Sequence, residues 1–207
     1  MNKDQLDNLQ IQQAAKGNAE VAKQLMQMAF DEQSEFLLGS KDINKVLAYF
    51  KRLWESENNR FSSDLSYVIN HNDSPIALLS VIEGEYVDPL FWPTFLQILK
   101  IHPGIIFHIL KHPSYLPEVI NAKEAHEDEY YIFMLAVLPE FQNLGLGSKL
   151  LGFAEEKARA LNYNKCSLMV RIKNTAAIRL YQRLGYQIVD EYPKKPVEAY
   201  RMVKIFE

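Results

Sequence analysis

Between Tyr130 and Leu161 the chain changes period once. The β-rich run YYIFMLAVLP gives way to a helical repeat through EFQNLGLGSK, a loop carrying two glycines. The spacing predicts a buried helix face of Leu150, Leu151, Ala154, Ala158 and Leu161, with Lys149, Glu155, Glu156 and Arg159 in solvent. A strand, a glycine loop and an amphipathic helix in that order demand a sheet with a helix packed on its face. In such a loop successive backbone N–H groups can converge, and the helix N-terminus adds partial positive charge, so the place suits a phosphate. A side chain at Gly145 or Gly147 would block close approach of a ligand or the backbone angles required. Two phosphate motifs are excluded. Gly147 is followed by Ser148-Lys149, not by the Lys-Ser/Thr of a P-loop, and Leu150 stands where a dinucleotide fingerprint has its third glycine.

The rest of the chain fits this unit into a larger pattern. LQIQQA alternates like a short strand, Asn18 to about Phe30 has helical spacing, and Ser40 precedes a helix with Ile43, Val46, Leu47, Phe50 and Trp54 on one face. DLSYVIN and IALLSVIEG, joined by HNDSP, read as a hairpin. CSLMVRI, NTAAIRLYQRLGY, YQIVDEY and YRMVKIF add a strand, a helix and two strands. The order is βααββ, an insert, then βαβαββ, which predicts an α/β protein (α+β by element bookkeeping) with a mixed sheet and helices on its faces. A length of 207 residues is met by a single domain over 1–207, with 48% hydrophobic residues for a core.

The insert, about 85–122, holds five of the nine prolines and three of the five histidines in an apolar, aromatic stretch. Lys100, His102 and Pro103-Gly104 interrupt it before it reaches the roughly 20 apolar residues of a membrane span, so two short helices bent at Pro103 are expected. They either pack on the core or on another subunit, as in a homodimer, or form a lid or wall over a substrate site. A net charge of −3 gives no overall positive field for nucleic acid or an anionic membrane, and neither is expected as a partner. Cys166 is the only cysteine, which excludes an internal disulfide and suits a reducing, cytoplasmic setting. The N-terminal MNKDQLDNLQIQQ lacks the basic start and apolar run of an export signal.

VLPEFQNLGLGSKLL resembles the Q/R-x-x-G-x-G/A loop of the GCN5-related N-acetyltransferase (GNAT) family, with Gln142, Gly145 and Gly147 on the motif positions. NTAAIRLYQRLGY is similar to that family's second cofactor helix, and LQIQQAAKGNAEVAKQLMQMAF to its first strand and helix. The resemblance covers most of the chain outside the insert. It implies a mostly antiparallel mixed central sheet flanked by helices, acetyl-coenzyme A as co-substrate, no metal, and transfer of an acetyl group to a primary amine on a small molecule or peptide. It also implies that backbone N–H groups of Gln142, Asn143, Leu144, Gly145, Leu146, Gly147 and Ser148 cradle the pyrophosphate. The main chain of Leu135, Ala136 and Val137 would pair with the pantetheine arm. Asn174 would hydrogen-bond that arm, Ala177 would leave room for it, and Tyr181 would point its hydroxyl at the sulfur.

Asn174, Ala177, Ile178 and Tyr181 fall at helical i, i+3, i+4 and i+7, one stripe ending in a phenol. Tyr181 is the candidate general acid for the departing thiolate, against a reading as a half-buried aromatic with its hydroxyl in water. A backbone N–H near Val137 is the candidate oxyanion donor. Counting back from Gln142 puts Tyr131 where several members of the family carry a glutamate. Glu129, two residues earlier on the strand, is the candidate base, against a reading as a solvated charge beside Glu127 and Asp128. That missing glutamate also favours a rival: a coenzyme A-binding sensor or interaction module without turnover. His108 and His112 stand four apart without the glutamate of a zinc-protease helix and read as ordinary histidines; Cys166, Trp54 and Trp92 read as core. The acidic balance and apolar insert lean towards a small or hydrophobic amine.

Overall fold

A computed structural model describes residues 9–30 and 33–206. Among them seven strands form one sheet in the order β1-β2-β3-β4-β5-β7-β6. They are β1 (Ile11–Gln13), β2 (Ser66–His71), β3 (Ser74–Glu83), β4 (Tyr130–Val137), β5 (Lys165–Arg171), β6 (Gln187–Tyr192) and β7 (Ala199–Ile205). Every pairing is antiparallel except β4 with β5. The mixed, mostly antiparallel α/β architecture expected from the sequence is therefore present.

The β2–β3 hairpin turns on Asn72 and Asp73, both at positive φ (50° and 60°), as a two-residue hairpin turn requires. Helices α1 (Ala19–Phe30), α2 (Gln33–Leu38) and α3 (Ile43–Glu55) follow β1, α2 being a short element that periodicity does not reveal. Asp42, not Ser40, caps α3, its carboxylate accepting from the Asn44 N–H at 3.0 Å. The buried stripe is accordingly Val46, Phe50, Leu53 and Trp54, and Ile43, expected inside, is exposed. Helix α1 and helix α3 press Leu25, Met26, Phe50 and Trp54 onto one sheet face against Val68 and Leu78.

Helix α8 (Leu146–Ala160) covers the opposite face, packing Leu150, Leu151 and Ala154 on Ala77, Leu79 and Cys166. Each fully buried leucine contributes about 1.5–3 kcal/mol. Two positions on α8 differ from the periodic expectation. Glu155 is buried because Lys204 on β7 reaches its carboxylate at 2.6 Å, and Leu161 is exposed because the helix has already ended.

Four helices lie between β3 and β4: α4 (Gly84–Val87), α5 (Phe91–Ile101), α6 (Ile105–Lys111) and α7 (Tyr115–Asn121). The chain bends by 111° between Gly84–Ile101 and Ile105–Lys111, at the expected Pro103 break. A second His-Pro, His112-Pro113, breaks it again before α7, which the sequence reading did not include. No single helix among the described residues is long and apolar enough to cross a membrane. Ile98 and Ile105 point into the core with α1 and α3. Trp92, expected in the core, is 65% exposed on the outer side of α5, because Thr94, Phe95 and Ile98 hold the inner side. Gly84 starts the segment where only glycine fits: its N–H donates to the Glu129 carbonyl at 2.8 Å, and a Cβ would sit 1.9 Å from the His126 carbonyl oxygen.

Candidate functional site

The site begins with a failure of pairing. β4 and β5 run side by side for three residue pairs, Tyr130–Cys166, Tyr131–Ser167 and Ile132–Leu168, and then part. On the other edge of β4 the register with β3 steps from Val81–Ile132 to Ser80–Met134, leaving Phe133 as a bulge at the point where the strands separate. Beyond it the main-chain groups of β4 alternate between edges. The Leu138 N–H donates to the Ile76 carbonyl of β3 at 2.9 Å, so those of Leu135 and Val137 face the edge that β5 has left. Ala136, grouped with them by the sequence reading, directs its main chain to β3 by the same alternation and is not a free edge group.

The glycine loop closes the end of that edge. The Gln142 side chain donates from Nε2 to the Val137 carbonyl at 3.0 Å, fastening the loop back onto β4. Asn143 and Gly145 both take positive φ, 61° and 83°, and Gly145 is the residue from which α8 starts. A Cβ on Gly145 would meet nothing within 4 Å, so its requirement is the backbone angle alone. At Gly147 an added Cβ would lie 3.4 Å from the Leu180 side chain of the neighbouring helix, the edge of ordinary contact. Leu146 is buried in the α8 core, and only its main chain belongs to the loop surface.

Helix α9 (Thr175–Arg183) forms the far wall. Asn174 is its cap, the carboxamide oxygen accepting from the Ala177 N–H at 3.1 Å, which leaves the NH₂ group for another partner. Tyr181 is 8% exposed, and its hydroxyl has no hydrogen-bond partner among the described residues. Burial alone pushes that phenol up to about 12. Leu135, Asn174 and Tyr181 line one cavity of about 780 Å³ that opens between the splayed strands and is roofed by α1, α2 and the helices of the insert. The insert is thus both packed on the core and a wall of the cavity.

Glu129 has a different place from the one the sequence suggested. It is 3% exposed and does not line the cavity. Its carboxylate takes a hydrogen bond from Arg201 Nη2 on β7 and another from the His126 N–H at 3.0 Å. Burial works to raise its pKa, but the Arg201 and His126 hydrogen bonds outweigh it and hold the carboxyl below its ordinary range. A carboxylate so engaged is neither a solvated charge nor an available proton acceptor.

Tyr131 does line the cavity, and burial together with the nearby charge of Glu124 raises its phenol well above the usual value. Glu124, which sequence reasoning missed, lies in the segment between α7 and β4 where no periodicity marks it. It is the one carboxylate lining the cavity among the described residues. Arg60 Nη1 donates to both of its oxygens at 3.0 Å. The histidine pair has no ligand geometry beyond proximity: the His108 and His112 rings are 4.9 Å apart, and His112 stacks on Tyr115 at 5.0 Å. Cys166 is buried in the core as expected, and burial pushes its thiol up to about 12.

The comparisons agree with this geometry. N-alpha-acetyltransferase 30 of Dictyostelium discoideum is 27% identical over 126 residues, 59% of this chain and 68% of that protein. An acetyltransferase of Pectobacterium atrosepticum is 35% identical over 72 residues, and the match spans half of that protein's length. An N-acetyltransferase structure from Staphylococcus aureus Mu50 superimposes with a TM-score of 0.67 at 20% identity, covering 94% of this chain and 99% of the other. An N-acetyltransferase from Thermoplasma acidophilum in complex with coenzyme A gives 0.54 at 13% identity, covering 96% and 99%. At those identities the two structures speak for the fold. Residues 48–186, from within α3 to the end of the α9 turn, match the acetyltransferase (GNAT) family as a whole, and with the splayed strands, the glycine loop and the capped α9 in the same order, the chain belongs to that family.

Proposed function

We propose that this protein transfers an acetyl group from acetyl-coenzyme A to a primary amine by direct attack on the thioester. The observation that carries this reading is the parting of β4 from β5 beside a glycine loop at a helix N-terminus, with Tyr181 among the residues lining the resulting cleft. The N–H groups from Asn143 to Ser148 receive the diphosphate, where the α8 dipole adds to them; that of Gln142, expected among them, is donated to the Pro139 carbonyl at 3.2 Å instead. The exposed edge of Leu135 and Val137 pairs with the pantetheine amides as a strand would. The Asn174 NH₂ group reaches the same arm, and Ala177 keeps the groove open. As the tetrahedral intermediate forms, a main-chain N–H near Val137 faces its oxyanion; as the carbon–sulfur bond breaks, Tyr181 gives its proton to the sulfur, and the proton shed by the nitrogen as it becomes an amide returns to the phenolate directly or through solvent.

Calorimetry with acetyl-coenzyme A and a thiol-release assay across an amine panel test the reading. Heat on binding and amine-dependent thiol are the expected results; a folded sample giving neither overturns it. Tyr131 in place of a glutamate and the engagement of Glu129 favour a second reading, a coenzyme A-binding module without turnover. Tight binding with no thiol released by any amine would select it.

A further inference from the structure

The cavity is larger than the thioester end of a pantetheine arm needs, and the surplus lies under the insert. There its walls are aromatic and aliphatic: Phe61, Phe91, Phe95, Ile109, Leu116 and Phe133. Such a surface rewards burial of an apolar body. Into it the protein places one engaged carboxylate. Arg60 is 8% exposed; its Nη2 donates to the Val87 carbonyl at 2.5 Å, its main-chain N–H donates to Thr94 Oγ1 at 3.0 Å, and its Nε is buried with no partner. This residue is held at two points, by Val87 and by Thr94, and it holds Glu124 in turn.

A carboxylate has about four acceptor sites. Arg60 Nη1 takes one on each oxygen and the Tyr131 hydroxyl takes a further one, which leaves capacity for a ligand's N–H group. Tyr131 on β4 sits next to Glu124 in the cavity wall. The negative charge absent from β4 is thus supplied from the insert's exit segment. Charged groups of the other sign also line the cavity, Arg171 and Lys173 beside Asn174, on the β5–α9 side.

Resting on the acetyl-transfer reading for its chemistry, we infer that the space under the insert is the acceptor site, that Glu124 receives the acceptor's ammonium group, and that the acceptor is an amine carried on a bulky apolar or aromatic body. Glu124 is an acceptor-binding residue in this scheme, and the insert is the specificity element.

Calorimetry on the full chain without acetyl-coenzyme A tests it, using 2-phenylethylamine, ethanolamine and 2-phenylethanol as probes. Burial of the phenyl ring is expected to make 2-phenylethylamine bind at least about tenfold tighter than ethanolamine. The ammonium is expected to make it bind about tenfold or more tighter than the neutral alcohol. E124Q, which keeps an oxygen for Arg60, is expected to lose about tenfold in 2-phenylethylamine affinity while coenzyme A binding stays within about twofold. Equal binding of amine and alcohol in the wild-type protein overturns the inference even if E124Q does not fold. Equal binding of the two amines, unchanged affinity in E124Q, or no amine binding at all also overturns it. Amine binding that depends on Glu124 without any heat from acetyl-coenzyme A would leave the site standing and overturn the acetyl-transfer reading alone.

Discussion

Tyr181 and Glu129 show how the same sequence signal, a titratable residue beside a strand or along a helix stripe, ends in opposite environments. Tyr181 lines the cavity, and a phenol raised to about 12 stays protonated through the neutral range. We expect Tyr181→Phe to lower kcat by about 10²-fold or more while changing the KM for acetyl-coenzyme A little, read by steady-state kinetics. The alkaline limb of the wild-type pH profile should show no loss from this group below about pH 10. The motif made Tyr181 legible because its stripe on α9 is periodic. Glu129 was misread because strand alternation says which face a side chain takes but nothing about what waits there. Its partner, Arg201, is 72 residues away in sequence.

At the level of single elements the glycine loop was the most legible part, since a strand, two glycines and a helical repeat are all local signals. Of the two glycines it is Gly145 that takes a left-handed backbone angle, while an added Cβ at Gly147 would come only to the edge of ordinary contact with Leu180. Gly145→Ala should cost roughly 1–2 kcal/mol, the strain of a side chain in that region, because the new Cβ meets no atom. Its larger effect should be on the ligand, with the KM for acetyl-coenzyme A raised about tenfold as the loop relaxes. A variant with wild-type KM would show that the loop angle is not tied to binding. The insert was legible as broken helices, from its His-Pro steps, but its orientation was not. α5 is apolar on more than one side, so composition could not say that Trp92 faces outward and Ile98 inward.

Across the whole molecule the sheet is two blocks, β1–β4 and β5–β7, joined by three β4–β5 residue pairs. The Glu129–Arg201 pair, between the start of β4 and β7, clasps the blocks at the closed end of the splay, and Asp190 on β6 accepts from the same guanidinium at 3.1 Å. Removing Glu129 leaves the buried Arg201 with only the half-exposed Asp190 as its carboxylate partner, so Glu129→Ala should destabilise by about 3 kcal/mol. That corresponds to roughly 10 °C in a thermal melt. Because Glu129 is bound to Arg201 outside the cavity, turnover per folded molecule should change much less. Glu129 holds its proton more weakly folded than unfolded, so its contribution is complete above about pH 4.5 and is lost as pH falls below that. The wild-type melting temperature should therefore decline more steeply with acid than that of Glu129→Gln.

Local order determined what the sequence alone could determine: strands, helices, the hairpin, the glycine loop and the α9 stripe with its terminal phenol, because each is set by residues within a few turns of one another. What required the tertiary structure was every pairing across long separations. The bulge at Phe133 and the departure of β5 open the cleft, the insert folds over it as a wall, Glu129 is consumed by Arg201, and Glu124 is brought beside Tyr131. None of these leaves a local trace, since a side chain's partner and its exposure depend on what the rest of the chain packs against it.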